Sequence, residues 1–138
     1  MISVMPRSVL IVDDDAGFRA LARRLLEAVG LTVVGEAGTV AGAIAVATAL
    51  MPSGALVDIG LPDGDGITLA RRLSALPWAP AVLLTSTDPD AASADEVRDA
   101  GANAFIAKDQ LPSAPLAIVS PAPQPRMTAL VRIRKSPR

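Results

Sequence analysis

Between residues 8 and 107, short apolar runs alternate with helix-length stretches, and glycine, proline or aspartate punctuates the joins. This alternation constrains the fold more than any other feature of the chain. Ser8–Val12 is an apolar-rich run, the pattern of a strand buried on both faces. Over Ala16–Val29 the apolar residues Phe18, Leu21, Ala22, Leu25 and Val29 step by three and four, which makes one helix face, and Gly30 is suited to stop it. Thr32–Gly35 predicts a second strand, Val40–Met51 an alanine-rich helix closed by Pro52, and Ala55–Ile59 a third strand. Ile67–Leu76 predicts a helix with Ile67, Ala70, Leu73 and Leu76 on one face, ended by Pro77. Ala81–Leu84 predicts a fourth strand. Asp88-Pro89 predicts an N-cap with proline at the first helical position, opening a helix that runs to Ala100 and stops at Gly101. Ala104–Ala107 predicts a fifth strand. Strands joined through helices by short connections predict an α/β fold, a doubly wound five-stranded parallel sheet with helices on both faces.

After Lys108 the alternation fails, because Pro112 and Pro115 crowd the place where a fifth helix belongs. The expected organisation is a core over 1–111, then a short last helix or irregular segment over 112–120, to which Leu116–Val119 supplies at most a short helix. Residues 121–138 predict a flexible tail, proline-rich at Pro121, Pro123 and Pro125 and basic beyond. The alternative for the tail is a short strand or peptide anchor at Leu130–Ile133.

Composition narrows the chemistry. The chain contains no cysteine and no histidine, which excludes disulfides, thiolate metal sites and a phosphohistidine of its own. Residues 1–111 hold 14 acids and 8 bases, whereas residues 112–138 hold five bases (Arg126, Arg132, Arg134, Lys135, Arg138) and no acid. An acidic body predicts no direct binding to DNA. Met1–Arg7 lacks a signal-peptide layout and no long apolar run predicts a membrane span, so the expected location is cytoplasmic.

The chemically active side chains fall at matching places. Asp13, Asp14 and Asp15 follow strand one, Asp58 stands near the end of strand three, Thr85 and Ser86 follow strand four, and Lys108 follows strand five. In a parallel sheet these strand ends share one edge, the edge at which such folds bind ligands. Clustered carboxylates raise one another's pKa, and a divalent cation relieves the repulsion. Oxygen donors without histidine or cysteine suit Mg²⁺. A carboxylate can also attack phosphorus to give an aspartyl phosphate, with Mg²⁺ and a lysine neutralising the phosphoryl oxygens. Taken singly, each residue has a bland reading: the aspartate run as a helix cap, Thr85 as a strand threonine, Lys108 as a surface lysine. Asp58 is less easily dismissed, since Val57-Asp58-Ile59 sets a charge in an apolar strand end.

In order and spacing, four segments resemble the receiver domains of two-component response regulators over roughly residues 7–111. They are Val9-Leu10-Ile11-Val12-Asp13-Asp14-Asp15, the run from Val57-Asp58-Ile59-Gly60-Leu61-Pro62 through Asp63-Gly64-Asp65-Gly66, Leu83-Leu84-Thr85-Ser86, and Phe105-Ile106-Ala107-Lys108. The resemblance implies a flavodoxin-like strand order of 2-1-3-4-5. It implies Asp58 as phosphoacceptor and Asp13, Asp14, Asp58 and the Gly60 carbonyl as ligands of Mg²⁺. It further implies Thr85 as the switch hydroxyl, Phe105 as the aromatic switch on strand five, and Lys108 as the phosphoryl contact.

The function so implied is a phosphorylation switch. A histidine kinase or phosphotransfer protein donates to Asp58, and a downstream protein or a second copy of the chain reads the result on the helix face beside strands four and five. The only catalysis implied is Mg²⁺-dependent self-phosphorylation and autodephosphorylation. Two alternatives stand beside it. One is a docking or dimerisation module that never turns over phosphoryl groups. The other is a phosphatase of the haloacid dehalogenase type, for which Asp13-Asp14-Asp15 has the Asp-x-Asp spacing and Asp13 would be the nucleophile. Trp78, ahead of strand four, is placed at the edge opposite this site.

Overall fold

The computed structural model describes residues 5–119. The elements in chain order are β1 (Met5–Val12), α1 (Ala16–Ala28), β2 (Thr32–Ala37), α2 (Val40–Leu50), β3 (Pro52–Asp58), α3 (Gly66–Ser74), β4 (Ala81–Ser86), α4 (Ala94–Asp99) and β5 (Ala104–Ala107). The five strands form one parallel sheet in the order β2-β1-β3-β4-β5, which is the expected doubly wound α/β topology. A separate two-residue ladder, Gly60–Leu61 against Gly64–Asp65, shapes the loop after β3.

The strand sequences explain why both faces are covered. Side chains alternate across a strand, so Leu10 and Val12 of β1, Ala55 and Val57 of β3, and Val82 and Leu84 of β4 enter one core, while Val9, Ile11, Leu56 and Leu83 enter the other. The first core is closed by Ala43 and Ala47 of α2, Leu69, Ala70 and Leu73 of α3, and Val97 of α4. The second is closed by Ala22 and Leu26 of α1 together with Leu111, Leu116 and Val119. The last three lie on two 3₁₀ turns, Lys108–Ser113 and Leu116–Val119, which stand where a fifth helix would pack. Each large apolar side chain so buried is worth about 1.5–3 kcal/mol, so the second face needs those turns even though proline interrupts them. The tail expected over 121–138 lies outside the described residues.

One expectation about the helices is corrected. The fourth helix starts at a Ser93 cap, not at Asp88. The Asp88 carboxylate accepts from the Asp90 amide at 2.9 Å and closes a turn. Ser93 and Glu96 instead form a reciprocal capping box, at 3.1 and 2.9 Å, which satisfies two free amides at the helix start. Both stop signals hold: Gly30 and Gly101 take φ of +87° and +76°, the left-handed conformation that glycine adopts at low cost.

Candidate functional site

Strand polarity brings the carboxyl ends of β1, β3, β4 and β5 to one edge, and the turns there fix each side chain. Beyond Val12 the Asp13 amide donates to the Ala37 carbonyl at 2.9 Å, and Asp13 Oδ1 accepts from the Asp15 amide at 2.9 Å. Asp15 itself caps α1 by accepting from the Gly17 amide, so within the aspartate run it has the helix-cap role. Asp13 is fully buried and Asp14 is exposed. Arg19 of α1 donates to the Asp13 carbonyl at 2.6 Å and is held from behind by Glu36 at 2.9 Å, which also pairs with Arg23 at 2.7 Å. Glu36 is held below the usual carboxylate range by its hydrogen bond to Arg23, against the cost of partial burial.

Asp58 is the last residue of β3, paired in register with Thr85 of β4. Its carboxyl is pushed up by burial first and by the neighbouring Asp13 second, against the opposing pull of Lys108 and of the Gly60 amide. Gly66 opens α3 directly under this residue. A Cβ there would stand 2.1 Å from the Asp58 carbonyl oxygen and 2.7 Å from the Ile59 Cα. At Gly60, which is exposed, a Cβ would meet nothing within 4 Å.

Lys108 follows β5 and reaches back across the crevice. Its ammonium lies 2.7 Å from Asp13 Oδ2, 3.8 Å from Asp58 Oδ2 and 4.0 Å from the centre of the Phe18 ring. The Thr85 hydroxyl is buried and donates to the Ile106 carbonyl at 2.6 Å, so in this conformation it is bonded toward β5. Phe105, next along β5, is half-buried against α4 and lines a groove of about 660 Å³ with Val97, Arg98 and Ala102.

Asp13, Asp14, Asp58 and Lys108 therefore meet, with Thr85 beside Asp58 in register, while Phe105 stands apart in the groove against α4. Carboxylate oxygens of Asp13, Asp14 and Asp58 all lie within 4.8 Å of one another. The donor set fits a hard divalent cation on two counts. It is made only of oxygen, and the buried Asp13 Oδ2 has no partner among the described residues beyond its ion pair with the Lys108 ammonium, which leaves it a lone pair to offer. A buried lone pair of that kind is costly unless something else approaches it. Chemically the crevice offers a carboxylate nucleophile, a cation site beside it and a fixed positive charge opposite.

Three contributors were not legible as site residues. Asp63 accepts from the Val40 and Ala41 amides at 2.7 and 3.1 Å and so ties the loop after β3 to the start of α2, a pairing with no local sequence signal. The Arg19–Glu36 pair had one signal, an acid inside an otherwise apolar strand. Phe18 reads only as part of a helix face, and nothing in the spacing places Lys108 over it.

Fold and crevice together define a class of protein: a doubly wound α/β domain with an acidic, lysine-closed pocket at the carboxyl edge of its sheet. The chain belongs to the response regulator receiver domain family, which it matches over residues 9–119. It is 42% identical over 106 residues to the DNA-binding transcriptional activator DevR/DosR of Mycobacterium tuberculosis, covering 73% of this chain and 47% of that protein. It is 33% identical over 121 residues to the transcriptional regulatory protein PdtaR of the same species, covering 84% of this chain and 58% of that one. The chain thus spans roughly half the length of these relatives. Among solved structures, the signal receiver domain of the response regulator NarL from Mycobacterium tuberculosis superposes with a TM-score of 0.69 at 30% identity, covering 94% of this chain and 96% of that one. Receiver domains bind Mg²⁺ in an acidic pocket and act between histidine kinases and downstream effectors. No helix among the described residues is long and apolar enough to cross a membrane.

Proposed function

We propose that Asp58 is the residue this receiver domain phosphorylates, from a histidine kinase or phosphotransfer protein, and that Mg²⁺ is held by Asp13, Asp14, Asp58 and the Gly60 carbonyl. The observation that carries this is the meeting of three carboxylates within 4.8 Å with the Lys108 ammonium facing two of them. The cation supplies charge neutralisation for phosphoryl transfer when bound. The protein's own groups do the rest. Gly66 and the Ile59–Thr85 backbone hydrogen bond of 3.0 Å fix the Asp58 backbone at the crevice. Burial strips water from the Asp58 carboxyl, and repulsion by Asp13 raises its pKa further, a strain that a bound cation and an incoming phosphoryl group would relieve. Lys108 presents a positive charge to the incoming phosphoryl oxygens.

The phosphoryl group adds roughly −1.5 to −2 charges and strong acceptor oxygens. Thr85, opposite Asp58 in register, is the nearest buried hydroxyl donor, and turning toward a phosphoryl group requires it to release the Ile106 carbonyl. Phe105 precedes Ile106 and lines the α4–β5 groove, so the exchange is transmitted there, where a downstream protein or a second copy of the chain reads it. DNA binding is a property of the longer relatives so named. The acidic charge of residues 1–111 favours proteins over DNA as direct partners of the receiver domain itself.

The test is intact-protein mass after incubation with acetyl phosphate and Mg²⁺, beside Asp58→Asn, Asp13→Asn and a magnesium-free sample. One added phosphoryl group, absent from Asp58→Asn and from the magnesium-free sample, is expected. Folded protein that neither labels nor binds beryllofluoride would sink the proposal in favour of a docking module. Labelling that survives in Asp58→Asn but not in Asp13→Asn would move the nucleophile to Asp13.

A further inference from the structure

The Lys108 ammonium is bounded on three sides. Asp13 stands at 2.7 Å, Asp58 at 3.8 Å, and the face of the Phe18 ring at 4.0 Å from its centre. The two carboxylates are the expected partners of this lysine in the reading above. The ring belongs to the first turn of α1, and Phe18 also packs against the second core. We propose that Phe18 is a positioning residue for phosphoryl transfer, its ring face holding the Lys108 ammonium in the crevice beside Asp13 and Asp58. This inference rests on the phosphoacceptor reading.

The physical case starts from the lysine stem. Four rotatable bonds let the ammonium leave the crevice for water, which solvates it strongly. Among the described residues, one carboxylate contact is close and the other is long. Asp13 also belongs to the cation-binding set, so its hold on Lys108 weakens whenever that set is engaged. The electron-rich face of Phe18 is a partner for which a divalent cation at the carboxylates does not compete. Cation–π attraction stabilises an ammonium by an amount that grows as the site is desolvated, and the Lys108 side chain is only 16% exposed. A leucine at position 18 would fill similar space and close the core, but it would place an apolar wall with no quadrupole beside a charge.

Two features of the chain make this testable. Lys108 and Lys135 are its only lysines, so lysine labelled with ¹³C at Cε gives two signals. A ring face over the ammonium must also shift the adjacent methylene protons upfield by its ring current. The first measurement therefore uses the full, metal-free chain. One lysine methylene is expected upfield of free lysine, and it is expected to return to the ordinary position in Phe18→Leu. The second measurement replaces Phe18 with a ring-trifluorinated phenylalanine, which keeps the shape and removes most of the face's negative potential. Its labelling rate with acetyl phosphate and Mg²⁺ is expected to fall by about two- to fivefold, the fold-change that an attraction of this class supports, with the thermal midpoint unchanged. Phe18→Tyr is expected to retain the rate. Two ordinary methylene signals in the wild type would overturn the proposal. So would a fluorinated variant that labels at the wild-type rate, since the ring would then only pack. Folded wild type that neither labels nor binds beryllofluoride would overturn the phosphoacceptor reading and this inference together, whereas normal wild-type labelling with an unresponsive position 18 would overturn this inference alone.

Discussion

The sharpest stability prediction concerns Gly66→Ala. Position 66 opens α3, where alanine is ordinarily the better residue, because it removes conformational freedom from the unfolded chain and stabilises by about 0.4–1 kcal/mol. Here the added methyl would point at backbone. It would stand 2.1 Å from the Asp58 carbonyl oxygen, 2.7 Å from the Ile59 Cα and 2.8 Å from the Asp58 carbonyl carbon, distances real Cβ atoms do not show. Those atoms belong to the end of β3 and cannot rotate aside. Asp58 is paired with Thr85, and the Ile59 amide donates to the Thr85 carbonyl. Relief must come from moving α3 away from the sheet, which also stretches the Gly66 amide bond to the Ile59 carbonyl, now 2.8 Å. Forced overpacking of this kind costs about 1–3 kcal/mol, and a backbone obstacle puts it at the upper end. The net expectation is a loss of about 2–3 kcal/mol, or roughly 7–12 °C in midpoint for a domain of this size. Urea unfolding and calorimetry read it directly. Acetyl phosphate labelling should fall as well, because the displaced backbone carries Asp58. A variant as stable as the wild type, or more so, would refute the close approach and the placement of α3 with it.

Other outcomes follow from the same geometry. Asp58→Asn should raise the thermal midpoint at neutral pH in the absence of metal. Burial and Asp13 raise the Asp58 pKa, so its contribution is fully favourable only below the unfolded value near 3.8 and is lost as pH rises through the higher folded value; a midpoint lowered by the substitution would contradict that sign. Asp63, whose carboxyl is held low by the Val40 and Ala41 amides, contributes stability above about pH 3.8 that is lost as pH falls through its depressed folded value. Asp63→Asn should therefore be less stable than the wild type at neutral pH, and the two midpoints should converge in acid. Leu116→Ala should cost about 2–5 kcal/mol if the 3₁₀ turns replace a helix in the second core, whereas an unchanged urea midpoint would detach that segment from the core. Trp78 donates to the carbonyl of Pro52, the first residue of β3, about 20 Å from Asp58 at the other end of that strand, so its fluorescence should barely respond to Mg²⁺, and a large quench would place it elsewhere.

How much of this could be read from the chain depends on the range of each interaction. The strands were legible because Val9 to Val12 and Leu83 to Leu84 are apolar without a gap, which only a sheet covered on both sides requires. The site was legible because a parallel sheet converts positions far apart in sequence into one edge, so Asp13, Asp58, Thr85 and Lys108 could be gathered before any distance was known. The start of α4 was misplaced for a local reason. Asp88-Pro89 is as good a turn as it is a cap, and the stronger signal, Ser93 with Glu96 three residues on, lay five residues further along. Asp63 on α2, Gly66 under Asp58 and Phe18 beneath Lys108 were out of reach for another reason. Each depends on how two elements pack, and no spacing within one element encodes that.

Those illegible contacts share a consequence for the switch. Strand topology alone would deliver the four site residues to the edge but leave each on a flexible turn, where a displacement of an ångström can cost catalysis a hundredfold. Here each turn is tied to a different helix. Arg19 of α1 holds the Asp13 carbonyl, Asp63 ties the loop after β3 to the start of α2, and Gly66 of α3 seats the Asp58 backbone. The exception is the β4–β5 side, where the Thr85 hydroxyl, though not its backbone, depends on one hydrogen bond to Ile106 and Phe105 is half-buried beside an open groove. The backbones of Asp13 and Asp58 are therefore tied to helices, whereas the Thr85 hydroxyl has a single partner and the Phe105 ring borders open space. In the proposed switch, a charge placed on Asp58 would act first on the Thr85 hydroxyl and through it on Phe105 and α4.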